Sequence, residues 1–159
     1  MRWTIRRMAN GDVDAVLTLG EKISETPHWR REEYERILAD DESIPLRRSG
    51  FVAEAAGHLL GFSVGNVIAG VCELESIAVA RQAQGQGIGR ELLKALAHWA
   101  QANGATRMEL EVRASNIRAI KLYEQAGMRR EGLRTAYYQS PTEDAVLMGA
   151  SLVAGGKLS

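Results

Sequence analysis

The stretch Glu75-Ser76-Ile77-Ala78-Val79-Ala80-Arg81-Gln82-Ala83-Gln84-Gly85-Gln86-Gly87-Ile88-Gly89-Arg90 decides how the chain is read. An apolar strand end, Ile77-Ala78-Val79, runs into a polar loop. Gly85, Gly87 and Gly89 alternate through that loop, and a helix is predicted to start straight after it. Alternating glycines let a backbone approach a ligand closely and turn its N–H groups towards it. A helix N-terminus just behind them favours negative charge. The stretch therefore reads as a phosphate cradle, with a tight strand-to-helix turn as the plainer alternative.

The rest of the chain narrows what such a cradle serves. Its 159 residues suit one domain with a full core, expected over 1–152, with 153–159 as a frayed tail. Hydrophobic residues make up 45% and charged residues 25%, the profile of a soluble globular protein. A net charge of zero argues against a dedicated nucleic-acid binder. Cys72 is the single cysteine, so neither a disulfide framework nor a cysteine metal site is expected, and it reads as a small buried apolar side chain. His28, His58 and His98 lack ligand spacing, so no metal is expected. The mixed, charged stretch from Met1 to Ala15 is unlike a signal peptide, and no apolar run is long enough to span a membrane. A cytoplasmic protein with no membrane partner, monomeric by default, is expected.

Periodicity supplies the elements. Trp3 to Arg6 alternates as a short strand; Asn10-Gly11-Asp12 opens a helix with Val13, Val16, Leu17 and Ile23 on one face. Arg30 to Ala39 reads as a second, charged helix, and Asp40 to Gly50 as a polar loop. Phe51–Ala55, Leu59–Ile68 and Val71–Val79, separated by Ala56-Gly57-His58 and Ala69-Gly70, predict an antiparallel meander. Ile88, Leu92, Leu96 and Trp99 recur at helical spacing, and Asn103-Gly104 stops that helix. Arg107 to Arg113 alternates, with Met108, Leu110 and Val112 on one face and Glu109, Glu111 and Arg113 on the other. Ser115 or Asn116 caps a helix that ends at Gly127. Met128–Arg134 and Ala145–Leu152 are the last strands, joined by a loop holding Tyr137, Tyr138 and Pro141. The fold class is a mixed α/β domain with a mostly antiparallel central sheet flanked by helices.

Three phosphate-loop families compete for the cradle. A Walker loop needs Lys-Ser or Lys-Thr after its glycines, where this chain has Gly89-Arg90. A dinucleotide fold finds an acid of suitable distance in Glu109, but the glycine spacing is wrong and the loop follows an antiparallel meander. The run Gln84-Gly85-Gln86-Gly87-Ile88-Gly89 resembles the Q/R-x-x-G-x-G/A motif of the GNAT acetyltransferases, and the order of elements from Trp3 to Leu152 is that family's order. Leu110-Glu111-Val112-Arg113-Ala114-Ser115-Asn116, Leu122-Tyr123-Glu124 and Arg134-Thr135-Ala136-Tyr137-Tyr138 are similar to its RimI branch, which acetylates the N-terminal alanine of a small-subunit ribosomal protein.

The resemblance implies acetyl coenzyme A as cosubstrate and a peptide N-terminus as acceptor. It implies Glu111 as proton acceptor, acting through water, and Tyr123 as proton donor to the coenzyme sulfur. Ile77, Ala78 and Val79 would run beside the pantetheine arm. Gln84, Gly85, Gln86, Gly87, Ile88, Gly89 and Arg90 would meet the pyrophosphate, with Asn116 contacting the coenzyme as well as capping its helix. Without the resemblance, Glu111 reads as a solvated strand residue and Tyr123 as a core aromatic. Trp29, Tyr137 and Tyr138 are expected to line the peptide groove or to form a hydrophobic cluster. Glu73 and Glu75 share a strand face with Ile77 and Val79 by alternation. Glu75 stands where the RimI pattern has an apolar residue; it is an alternative base, a recognition group for a cationic substrate, or a surface charge. Gly85 stands where the family has Arg or Lys, and Arg81 is placed to replace that cation. A small-molecule amine or polyamine is the alternative acceptor. A non-catalytic coenzyme A-binding module is the remaining class, against which Glu111 and Tyr123 count.

Overall fold

The turns Ala56-Gly57 and Ala69-Gly70 hold all four residues at positive φ (50°, 79°, 50° and 80°). That geometry matches the right-handed twist of two flanking strands, so each dipeptide closes a tight hairpin. The computed structural model describes residues 2–23, 27–39, 43, 45–153 and 158. Among them the order is β1 (Thr4–Arg7), a 3-10 turn at Asn10–Asp12, α1 (Val13–Lys22), α2 (Arg31–Ala39), β2 (Arg47–Ala55), β3 (His58–Ile68) and β4 (Val71–Val79). Then come a second 3-10 turn at Arg81–Ala83, α3 (Ile88–Ala102), β5 (Arg107–Arg113), α4 (Ile117–Gln125), β6 (Arg129–Tyr138) and β7 (Glu143–Ser151). The strands form one sheet in the order β1-β2-β3-β4-β5-β7-β6. β4 and β5 run parallel, with α3 as their crossover, and every other pair is antiparallel.

The helices cover both faces. On one, Tyr34 of α2 meets Phe62 of β3 edge-on, with ring centroids 6.3 Å apart. On the other, the hydroxyl of Ser63, the next residue of β3, donates to the backbone oxygen of Leu92 in α3 (3.2 Å). Phe62, Leu92, Leu96 and Met108 are wholly buried between these layers, and each such side chain contributes about 1.5–3 kcal/mol. Cys72 is buried as expected; burial, helped by Glu75 and Glu73, pushes its thiol up to about 12.

Two irregularities shape the site. β4 and β5 pair only over Val71–Glu73 with Arg107–Glu109. Beyond that point they diverge, and the edge of β4 towards β5 has no strand partner. The register between β3 and β4 also slips: Val64 opposes Ser76 while Gly65 opposes Leu74, so Glu75 is the extra residue of a β-bulge. A bulge bends and twists its strand, which suits the divergence. It also corrects the expected alternation. Ile77 opposes Ser63 on the α3 face, whereas Glu73 opposes Asn66 and Ser76 opposes Val64, both on the α2 face. Glu73 therefore lies on the face opposite Ile77 and Val79.

Two element bounds differ from expectation by more than two residues. β2 begins at Arg47, inside the stretch expected to be a loop, because Arg47–Gly50 pair with Val64–Val67 and the charge of Arg48 is neutralised in place. Tyr137 and Tyr138 belong to β6 and not to a loop. Pairing with β7 breaks after Arg134 and resumes at Tyr138 opposite Glu143, with Ala136 at φ 51° in the irregular step. Of the expected tail, residues 154–157 and 159 lie outside the described set, while Leu158 packs against the core.

Candidate active site

The divergence of β4 and β5 opens a cavity of about 950 Å³. Ile77, Ala78 and Val79 form one wall, the glycine loop one end, and α4 the other side. The N–H of Ala80 is given to Leu60 O of β3 (2.8 Å). Strand alternation then turns the N–H of Val79 the other way, to the unpaired edge. The carbonyl of Val79 points there too, and the Gln84 amide caps it at 3.0 Å. Gln84 thus ties the loop to the strand.

At the loop, Gly85 and Gly87 have φ of 82° and 90°, and Gly87 is the N-cap of α3 with no side-chain hydrogen bond to the cap. A Cβ at either would touch nothing within 4 Å, so these glycines serve backbone conformation and not crowding. A glycine N-cap supplies no side-chain acceptor to the first N–H groups of α3. Of the residues expected at the coenzyme, Ile77, Ala78, Val79, Gln84, Gly85, Gly87, Ile88, Gly89, Arg90 and Asn116 line this cavity; Gln86 is exposed and does not. Arg81 does, as do Arg118 and Lys121, two α4 cations that pattern reading passed over. Their one signal is a spacing of three on a helix whose apolar face is already assigned.

A second cavity, of about 360 Å³, lies on the other side of the divergence. Glu75, Ser76, Glu111, Arg113, Tyr138 and Pro27 are among its walls. Ile77, Asn116, Ala119 and Tyr123 line both cavities, so the two meet at the Tyr123 side chain. Tyr123 is 5% exposed, and burial, then Tyr138, pushes its phenol well above the usual range. It stays protonated and can donate. Asn116 Oδ1 accepts from the N–H of Ala119 (3.2 Å), capping α4 as expected.

Glu111 faces β6. Its carboxylate is 3.6 Å from the Arg134 guanidinium. Its charge is also the main influence pushing the Tyr137 phenol up. Tyr137 and Tyr138 stand edge-to-face (5.1 Å), with Arg134 over the first ring at 5.2 Å and Arg113 over the second at 4.5 Å. Tyr137 therefore joins the site through Glu111, and Tyr138 lines the second cavity directly.

Trp29 stands apart from that cavity. It packs on Tyr34 (5.5 Å) and under Arg48 (5.7 Å), while Pro27 of the same loop is the lining residue. Arg48 binds both Glu75 oxygens (2.8 and 3.0 Å) and a Glu33 oxygen (2.9 Å). Those bonds, with charge attraction, hold Glu33 below the usual carboxylate range. Glu75 is thus the partner of a half-buried arginine. Glu73 is exposed on the same face; partial burial, then Glu75, Glu111 and Glu109, raise its pKa.

Residues 17–128 match the Acetyltransferase (GNAT) family. The chain belongs to the GNAT acetyltransferase family. The ribosomal protein bS18-alanine N-acetyltransferase of Escherichia coli is 38% identical over 147 residues, covering 91% of this chain and 95% of that one. An uncharacterized N-acetyltransferase of Methanocaldococcus jannaschii is 32% identical over 145 residues, covering 91% and 88%. The solved structure of the ribosomal-protein-S18-alanine N-acetyltransferase from Escherichia coli matches with TM-score 0.80 at 29% identity, over 95% of this chain and 94% of that one. Arabidopsis thaliana NAA60, solved in complex with acetyl-CoA, matches with TM-score 0.82 at 14% identity over 94% and 98%, a likeness of fold alone. This GNAT enzyme is an N-acetyltransferase, and its relatives place it in the RimI-like branch. Among the described residues no helix is long and apolar enough to cross a membrane.

Proposed function

We propose that this GNAT enzyme transfers an acetyl group from acetyl coenzyme A to the N-terminal amine of a protein, in the cytoplasm, as the bS18-alanine relatives are named for doing. One observation carries the proposal: two cavities on opposite sides of the β4–β5 divergence meet at the buried hydroxyl-bearing Tyr123. The larger suits the coenzyme, since it pairs an unpartnered strand edge with uncapped helix N–H groups and the cations Arg81, Arg118 and Lys121. The smaller suits an amine, being walled by Glu111 and two tyrosine-bearing elements.

Each residue then has a task. Glu111 takes, through water, the proton an N-terminal ammonium must lose before its lone pair attacks. The Val79 N–H, free on the unpaired edge, stabilises the negative charge that grows on the carbonyl oxygen. Tyr123 gives its proton to the departing sulfur and regains one from the new amide nitrogen. Atoms balance: the N–C bond forms, the C–S bond breaks, and one proton leaves by way of Glu111.

A second reading has its own support. Glu73 is in no ion pair among the described residues, and after partial burial the charges of Glu75, Glu111 and Glu109 raise its pKa, with Arg134 opposing them. That field suits a small polycationic amine. Peptides beginning with Ala, Ser or Met, assayed beside polyamines, separate the two; turnover of polyamines alone would sink the first.

A further inference from the structure

Three serines of the central sheet are buried, and two are satisfied. Ser63 donates to Leu92 O, and Ser49 Oγ accepts from the Arg7 guanidinium at 2.9 Å. The third, Ser76, is 5% exposed, and among the described residues its Oγ is the single buried side-chain oxygen or nitrogen without a hydrogen-bond partner. A buried hydroxyl left this way is unfavourable unless something outside the chain completes it, and native proteins satisfy nearly all such groups with protein or ordered water.

Its position says what that something does. Ser76 lines the smaller cavity together with Glu111 and Tyr123. Without the bulge at Glu75, alternation would send the position of Ser76 to the α3 core. With it, Ser76 opposes Val64 and lies on the face of Glu73. Glu73 opposes Glu109 across the parallel pair, and Glu111 follows two positions on. Ser76 and Glu111 thus occupy the same face of the sheet, on either side of the gap where β4 and β5 cease to pair. Backbone atoms of β5 do not fill that gap.

We propose that Ser76 is a positioning residue whose hydroxyl, opposite Glu111, holds the water through which the acceptor amine loses its proton. The inference rests on the acyl-transfer reading above. The ammonium gives a proton to the water, and the water gives one to the Glu111 carboxylate. Ser76 donates to or accepts from the water throughout and ends unchanged. Charge and atoms balance without another reactant. A polar cavity walled by a carboxylate and a hydroxyl provides the two or more partners that an ordered water requires.

The test compares wild type, Ser76→Ala, Ser76→Thr and Ser76→Val in steady state, using peptide and polyamine acceptors, with donor affinity measured separately by calorimetry. Ser76→Ala is expected to lose about tenfold in kcat, the upper scale of one hydrogen bond between neutral groups, with acceptor KM and donor Kd unchanged. Ser76→Thr keeps the hydroxyl and should recover most of that loss; Ser76→Val, its isostere, should not. A crystal structure of wild type should show a water bonded to both Ser76 Oγ and Glu111, absent from Ser76→Ala. Wild-type kcat in Ser76→Ala, equal losses in the Thr and Val variants, or no water at that point would each overturn the proposal. If wild type turns over polyamines and not peptides, the peptide reading fails while the comparison on polyamines still decides Ser76.

Discussion

Replacing Arg48 with methionine keeps much of the side chain's length and removes its charge from between Glu33 and Glu75. The Arg48 and Glu75 side chains are 18% and 15% exposed. Breaking a fully buried pair costs about 3–5 kcal/mol, and an exposed pair is worth about 0–1. A bidentate pair of intermediate burial falls near 2 kcal/mol, which in a domain of this size lowers Tm by about 4–8 °C. Glu75→Gln should cost less, about 1 kcal/mol, because Arg48 retains Glu33 and its place over Trp29. The double variant should lose less than the sum of the two, since each single change strands a partner that the double removes. Chemical and thermal unfolding of the four proteins measures this. Strict additivity would refute the assignment of Glu75 as the arginine's partner and return it to the acceptor, and equal losses in the two single variants would refute the share given to Glu33 and Trp29.

Three other outcomes follow from the geometry. Tyr123→Phe and Glu111→Gln should each lower kcat by about 100-fold while donor affinity, read by calorimetry, stays near wild type. Wild-type turnover in both would leave the family intact and the mechanism wrong. Gly87→Ala should lose about 1–2 kcal/mol and weaken donor binding: its φ is 90° while its Cβ would meet nothing, so the cost is conformational. Denaturant unfolding and donor titration check it. Asp12 is held below the usual carboxylate range by its hydrogen bonds to Arg6, at 2.8 Å, despite burial. A lowered folded pKa contributes stability that is present above the ordinary carboxylate value and is lost as pH falls through the folded one. Asp12→Asn should therefore remove part of the acid dependence of stability, and a matching unfolding series from pH 7 to pH 3 that left its slope unchanged would count against the pair.

What sequence alone determined here is local. The Gly85, Gly87 and Gly89 spacing, the hairpin dipeptides, the helix periodicities of 88–102 and 117–125, and the Asn116 cap depend on residues within a few positions of one another. The structure bears these elements out to within a residue or two. Family motifs extended that reach to the acetyltransferase fold, because the glycine loop sits between the meander and the β5–α4 unit, and residues 17–128 match the family as one continuous stretch.

Tertiary structure decided where those elements aim their side chains. A period of two cannot reveal the extra residue at Glu75, which exists only in the register with β3 and which moves Glu73 away from Ile77 and brings Ser76 to the face of Glu111. Arg48 looked like loop polarity until Glu33 and Glu75 met it from two other elements. Tyr137 reached Glu111 because β6 resumes pairing after its irregular step. Above all, the candidate site is a gap between two strands that stop pairing at Glu73 and Glu109. A gap is a relation between distant segments, and no single stretch of sequence contains it.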